Sequence, residues 1–295
     1  METSVIRLSS SLLAAAFAYL ALTGFPPPGT GSKPQSEVTR RMMASARDNF
    51  DRGEYVLALP PAQELHRLFP ENHIYIEQLA NIYNRLRRYP EEAEMWELYL
   101  QYSPVPIEGC PQVGIAWRNQ ALADKAINAL KRCLALEPNN PDVIYQLGYT
   151  SEHSSPNAAA ELYHQGLRHQ PDNADLILGL ARIGLNQGRS AQAASEAMRV
   201  LQKVPDNTDA LLLAGLALTR LDRLDEAQRL LERGALLSPR YADLQVALAA
   251  IFERRRDFPA AILHYEKALQ LDPENRDASF RLEQLRLRTP SRGPR

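Results

Sequence analysis

Seven prolines recur at nearly equal intervals along this chain, at positions 70, 104, 138, 171, 205, 239 and 273. The spacing is 34 residues, with a single gap of 33 between the third and fourth. Each closes a similar run: "LHRLFP", "YLQYSP", "CLALEP", "GLRHQP", "VLQKVP", "ALLSP" and "ALQLDP". Proline has no N–H to donate and its ring clashes with the preceding turn, so it stops a helix. A period of this length predicts one supersecondary unit repeated seven times, each burying its apolar face against its neighbours. Leu, Ala, Arg, Gln and Glu dominate the composition, which favours helices over strands.

The residues around each proline form a recurring punctuation. Two positions on, asparagine stands at 72, 140, 173, 207 and 275, where its side-chain oxygen can accept from the first turn of a new helix. Asp142, Asp175, Asp209, Asp243 and Asp277 follow two further on, at the positive end of that helix's dipole. Between these boundaries the apolar residues repeat with helical spacing. In the last unit Leu248, Ala249 and Phe252 share one face, and Ala261, Tyr265 and Ala268 share another. Small residues mark where the two helices of a unit should cross closely. They are Ala80, Gly114, Gly148, Ala181, Gly215 and Ala249 on first helices, and Ala58, Ala126, Ala159, Ala193, Ala227 and Ala261 on second helices. Glycine inside a helix costs on the order of 1 kcal/mol relative to alanine, so its return at one register implies a packing demand.

In these motifs the chain resembles the tetratricopeptide-repeat proteins. The segments "IYQLGY", "AILHYEKALQLDP" and "DEAQRLLERGALLSP" carry the family's alternation of large apolar, small and aromatic residues ending in proline. The resemblance implies an all-α fold, a right-handed superhelical solenoid of antiparallel helix pairs. Seven repeats are expected over 39–273, a capping helix over 274–288 and a basic tail over 289–295. Three departures are local. Ala93 falls one residue late in "RRYPEEAEMW", Pro111 sits in the first turn of a helix, and the fourth repeat is one residue short near "SEHSSPNAAA".

Stacked pairs of this kind have a concave surface lined by their first helices, and the family's inward-facing positions map here onto a graded face. Asn81, Asn84, Arg85, Arg118, Asn119, Tyr145, Gln146, Tyr149, Arg182 and Asn186 make its polar part. Asparagine can pair with both backbone groups of an extended peptide, arginine can fork onto a carboxylate, and tyrosine offers stiff contact area. Further on the same positions turn apolar, with Leu178, Leu212, Leu213, Leu216, Val246 and Ala250, of which Leu212 and Leu216 are counted among the groove residues. That stripe either receives an amphipathic partner helix, is buried between repeats, or mediates self-association. The clamp by which some family members hold a terminal EEVD-type carboxylate is not reproduced in consecutive repeats, so such a peptide is not expected.

Other chemistry is sparse. There is no Gly-rich phosphate loop and no GxSxG, HExxH or paired CxxC motif. His164 and His169 are five apart, which places them on different sides of a helix, so no metal is expected. No cofactor is expected either, and the chain is expected to be non-catalytic because an open groove does not converge acid and base groups. Acids and bases nearly cancel, 35 against 34, which gives no argument for nucleic acid, and none is expected as a partner. Cys110 and Cys133 fall at adjacent ends of the antiparallel helices of repeat three. They are either a disulfide or two ordinary core cysteines.

The first residues differ in kind from the rest. Arg7 is followed by an apolar stretch over 12–22 and then a spacer rich in Pro, Gly and Ser. The stretch is short for a spanning helix and suits the central region of an export signal. Residues 1–24 are read as a signal peptide or membrane anchor, with anchoring through residues 8–25, and 25–38 as a disordered linker. The expected location is periplasmic or extracellular, and the alternative is a cytoplasmic chain whose apolar N-terminus is buried. The function expected is a protein-interaction scaffold that holds a peptide segment or helix in its groove, in assembly of an envelope complex. The alternative is a cytosolic regulatory or targeting subunit of an enzyme complex.

Overall fold

The structure, a computed structural model, describes residues 37–288. The proposed signal or anchor, the linker as far as residue 36 and the basic tail at 289–295 lie outside the described residues. Fifteen α-helices occur among the described residues, without strands. They are α1 (Glu37–Asp51), α2 (Tyr55–Leu68), α3 (His73–Arg85), α4 (Tyr89–Tyr102), α5 (Cys110–Asn119), α6 (Ala123–Leu136), α7 (Pro141–Ser151) and α8 (Pro156–His169). There follow α9 (Ala174–Asn186), α10 (Ser190–Lys203), α11 (Thr208–Arg220), α12 (Leu224–Leu237), α13 (Ala242–Arg254), α14 (Phe258–Leu271) and α15 (Arg276–Arg288). A short 3₁₀ turn, Pro106–Gly109, leads into α5. The series is seven pairs followed by one capping helix.

The proline punctuation acts as its chemistry requires. Every second helix ends two residues before its proline, and the residue between has left the helical region, with ψ from 68° to 139°. The proline ring forces that extended geometry on its predecessor. The asparagines then restart the chain. Asn72, Asn140, Asn173, Asn207 and Asn275 each accept a backbone N–H of the next first turn, at 2.8–3.2 Å in the best bond of each. Such a cap contributes about 1 kcal/mol.

Turns within the pairs follow a second rule. Gly53, Arg87, Ala121, Gly188, Asp222 and Arg256 take positive φ between 55° and 78°, one in each pair except the fourth. The fourth repeat is the one a residue short, and its turn has lost the left-handed residue. Glu152 there keeps helical dihedrals, φ −53° and ψ −39°, and continues the line of α7.

The chain divides into two compact units between Leu86 and Arg87. In the first, α1 packs on α2 and α2 on α3 around Ala46, Ala58, Leu65, Ile76 and Ala80, all fully buried. Pro60 and Pro61 lie inside α2. They free the carbonyls of Val56 and Leu57 on an exposed stretch, where Asn49 Nδ2 donates to that of Leu57 at 3.4 Å and water can reach that of Val56.

In the second unit each helix packs on the next, and the first helices α5, α7, α9, α11 and α13 also pack successively on one another. The predicted small positions are the crossing points. A Cβ added to Gly114 would stand 2.8 Å from Leu130, one on Gly148 2.4 Å from Tyr163, and one on Gly215 2.5 Å from Leu231. In each case a large side chain of the second helix fills the space that glycine leaves. Ala126, Ala159, Ala193, Ala227 and Ala261 are fully buried on the opposing helices. In repeat two that register belongs to Glu92, which is buried beside Ala93. Full burial of a leucine such as Leu130 or Leu231 contributes about 1.5–3 kcal/mol.

Candidate functional site

The polar inner face of the second unit is built around one buried aromatic ring. Tyr163, on α8, is wholly inaccessible to solvent. Its ring lies between two glycines of successive first helices: a Cβ on either Gly148 or Gly179 would come within 2.4 Å of it. Held there, Tyr163 donates its hydroxyl hydrogen to Glu152 Oε1 at 2.7 Å. Glu152 in turn receives a forked pair from Arg182, Nε to Oε2 at 3.2 Å and Nη2 to Oε1 at 2.9 Å. The Glu152 side chain is 9% exposed and that of Arg182 24%.

This ion pair holds Arg182 over two further rings. Its Cζ is 5.0 Å from the centroid of Tyr149 and 5.8 Å from that of Tyr145. The two tyrosines stack, with centroids 6.0 Å apart. Arg118, from α5, covers Tyr149 as well, with Cζ at 5.0 Å. Tyr149 is thus flanked by two guanidinium groups yet stays 44% exposed. Arg118 donates from Nη1 to Thr150 Oγ1 at 3.0 Å, and the Thr150 hydroxyl donates to the Gln146 carbonyl.

The electrostatics follow the packing. Burial, then the charge and hydrogen bond of Glu152, push the Tyr163 phenol well above its ordinary range. Burial alone would lower Arg182, but Glu152 outweighs it and holds the guanidinium above its usual value. Arg118 has no such carboxylate, and burial pushes it down. Along the other edge of the inner face, Asp142, Asp175, Asp209 and Asp243 occupy the first turns of successive first helices. Partial burial, then the charges of Asp209 and Asp142, raise Asp175 even though Arg182 opposes them.

A second, looser version of the same arrangement closes the unit. Tyr265 donates to Glu253 Oε2 at 3.1 Å, and Arg281 lies 3.7 Å from Glu253 Oε1. These groups border a shallow concavity of about 450 Å³ that also takes in Leu216, Val246 and Ala250. Arg254 donates to the Thr219 carbonyl at 2.8 Å, and Arg220 to that of Leu185, so these cations satisfy the C-terminal ends of neighbouring helices.

Among the residues picked out by position, Arg118, Tyr145, Gln146, Tyr149 and Arg182 come together, and Asn119 and Asn186 are exposed at the ends of α5 and α9. The remaining three belong to the first unit. There Asn81 is exposed beside Arg47, Phe50 and Glu77, Asn84 is half-buried, and Arg85 lies over the ring of Tyr55 at 6.0 Å. The apolar stripe needs correction. Leu212 is 7% exposed and packs with Leu244 and Leu248, and Leu178 and Leu213 are buried in the cluster before it. Successive first helices approach closely enough to absorb these leucines into the core between repeats. Leu216 alone of the two leucines chosen for the groove remains half-open. Position also missed Glu152 and Tyr163, which orient the arginine. Their signal was the pair Gly148 and Gly179, two glycines bracketing one aromatic.

Cys110 and Cys133 are joined in a disulfide, with Cα atoms 5.8 Å apart, linking the start of α5 to the last turn of α6. The larger concavities, about 970 and 660 Å³, are lined mainly by second helices, α6 with α8 and α4 with α6. No group of His, Cys, Asp and Glu among the described residues is arranged to hold a metal ion. No helix among them is long and apolar enough to cross a membrane.

Two family models match the chain. One, described as a tetratricopeptide repeat, covers residues 149–208, and one described as the N-terminal TPR repeats region of Psidin covers 184–283. In sequence the chain is 28% identical over 182 residues to the human protein O-mannosyl-transferase TMTC1. That alignment takes in 60% of this chain and spans about a fifth (20%) of that protein's length. In structure it is similar to a tetratricopeptide repeat protein from Parabacteroides merdae, with a TM-score of 0.73 at 16% identity, over 85% of this chain and 99% of that one. A chain of the APC/C hetero-tetramer Cut9-Hcn1 gives 0.67 at 17% identity, over 93% of this chain and 52% of that one. At these identities the structures establish the fold.

Proposed function

We propose how this chain, a tetratricopeptide-repeat protein, is used: as a scaffold that binds a segment of a partner protein along the inner face of its repeats. Proteins of this fold are in general protein-interaction scaffolds. The observation that carries the reading is the Arg118–Tyr149–Arg182 stack. The Tyr149 ring and the Arg118 guanidinium offer rigid aromatic area and unpaired donors at the surface there, beside an Arg182 that Tyr163 and Glu152 hold from beneath. Sites held by packed helices and buried hydrogen bonds are pre-organised, so less ordering is required when a ligand arrives.

Photo-cross-linking checks it. A photoreactive residue at Asn119 or Asn186 should give a discrete partner adduct in the cells that make the protein, whereas one at Leu236, 81% exposed on α12, should not. Equal labelling from both faces would refute an inner-face site.

The finer reading is that this scaffold works outside the reducing cytosol, in assembly of an envelope complex, held by residues 8–25 or released after cleavage. The Cys110–Cys133 disulfide supports it, because such bonds persist mainly in oxidising compartments. Alkylation of intact cells should leave both cysteines unlabelled until a reductant is added. Free thiols there, together with an intact Met1 in cytosolic material, would favour the cytosolic regulatory subunit instead.

A further inference from the structure

We propose that Arg118 is the receptor for a carboxylate side chain of the bound segment, so that the partner presents an Asp or Glu to repeats three and four. The proposal rests on the groove reading above and gives it a chemical class.

The other arginines of the inner face in this unit are already engaged. Arg182 is forked onto Glu152, Arg281 lies near Glu253 and Asp277, Arg254 bonds the Thr219 carbonyl near Asp222, and Arg220 bonds that of Leu185. Arg118 stands apart. It is half-buried, one face rests on Tyr149, and its one hydrogen bond uses Nη1 on a neutral hydroxyl. No carboxylate among the described residues pairs with it. Glu152, the acid of the cluster, is already engaged by Tyr163 and by two donors of Arg182.

A guanidinium removed from water without a counter-charge is unfavourable, and the burial that lowers Arg118's proton affinity reflects this. An arriving carboxylate relieves it. Thr150 and Tyr149 fix the plane of the group, which leaves donors free in the fork geometry a carboxylate accepts. The opposite edge of the face carries Asp142 and Asp175, which repel an acid and confine it to the Arg118 side.

The test pans the full chain against short random peptides, one library acetylated and amidated, the other with free C-termini. Wild type should select Asp or Glu at one fixed position in the amidated library. Changing that residue to Asn or Gln should weaken binding about ten- to a hundredfold, the range of a charge-assisted pair. Arg118→Gln should bind both peptides equally and weakly, and Arg118→Lys should recover only part of the preference. Arg118→Gln should also melt no lower than wild type, since it removes an uncompensated charge. An acid preference that survives in Arg118→Gln overturns the proposal, as does one confined to free C-termini. A loss of stability in Arg118→Gln as large as that of a Glu152 variant overturns it too, by making the residue structural. If wild type selects no peptide at all, the groove reading itself fails.

Discussion

The inner face of the second unit carries the Tyr–Glu–Arg arrangement twice, and the two copies differ in burial. In Tyr163–Glu152–Arg182 the carboxylate is 9% exposed, the fork is closed and two tyrosines stack on the cation. In Tyr265–Glu253–Arg281 the carboxylate is 22% exposed, the arginine 50%, and the closest approach is 3.7 Å. Equivalent helix positions supply the tyrosine and the acid in both. What separates them is the neighbour: another full repeat follows the first copy, and only the capping helix follows the second. Position in the repeat chooses which side chains meet, and the surrounding packing sets how strongly they interact.

The largest effect that should break this comparison is removal of the acids. Glu152→Ala strands a half-buried guanidinium and should cost about 3 kcal/mol, near the lower end for a broken buried pair. Glu253→Ala should cost about 1 kcal/mol or less, as for exposed pairs. Denaturant melts of the two variants decide it, and equal losses would mean that burial does not govern the difference. Comparable in size is the disulfide, whose separation of 23 residues gives about 3.4 kcal/mol in the chain-entropy model. Cys110→Ser with Cys133→Ser should raise hydrogen exchange in α5 and α6 while leaving α11 to α14 protected.

Smaller effects test the ring beneath the site. Gly148→Ala or Gly179→Ala drives a methyl into Tyr163 and should cost about 1–3 kcal/mol. Gly184→Ala meets its neighbours at 3.5 Å and should be neutral or stabilising by up to about 1 kcal/mol. Smallest is the acidic edge. An NMR titration should place Asp175 above the ordinary Asp range, and Asp209→Asn should lower it. A carboxyl whose folded pKa is raised opposes folding while ionised. Its penalty is present above that raised pKa and is lost as pH falls through it, so Asp175 contributes slightly greater stability on mild acidification.

Much of this was legible beforehand because the signals are local. Proline exclusion, an asparagine cap and a glycine at a crossing each act within a few residues, and all recur where the sequence places them. The candidate site was legible only in part. Arg118, Tyr145, Tyr149 and Arg182 follow from repeat position, but Glu152 and Tyr163 lie on the shortened turn and the second helix, which no groove position samples. Leu212 was misplaced for a related reason: one position can face the ligand or the next repeat, and the distance between helices selects which.

By itself the sequence determined the number of repeats, the ends of the helices and the small residues at their crossings, since backbone sterics and hydrogen bonding within a few residues enforce them. Tertiary structure alone decided which inner-face residues remain open and which become core. It also left Arg118 without the counter-charge that Arg182 has. Burial and charge pairing depend on groups some thirty residues apart in the chain, brought together only when the helix pairs stack.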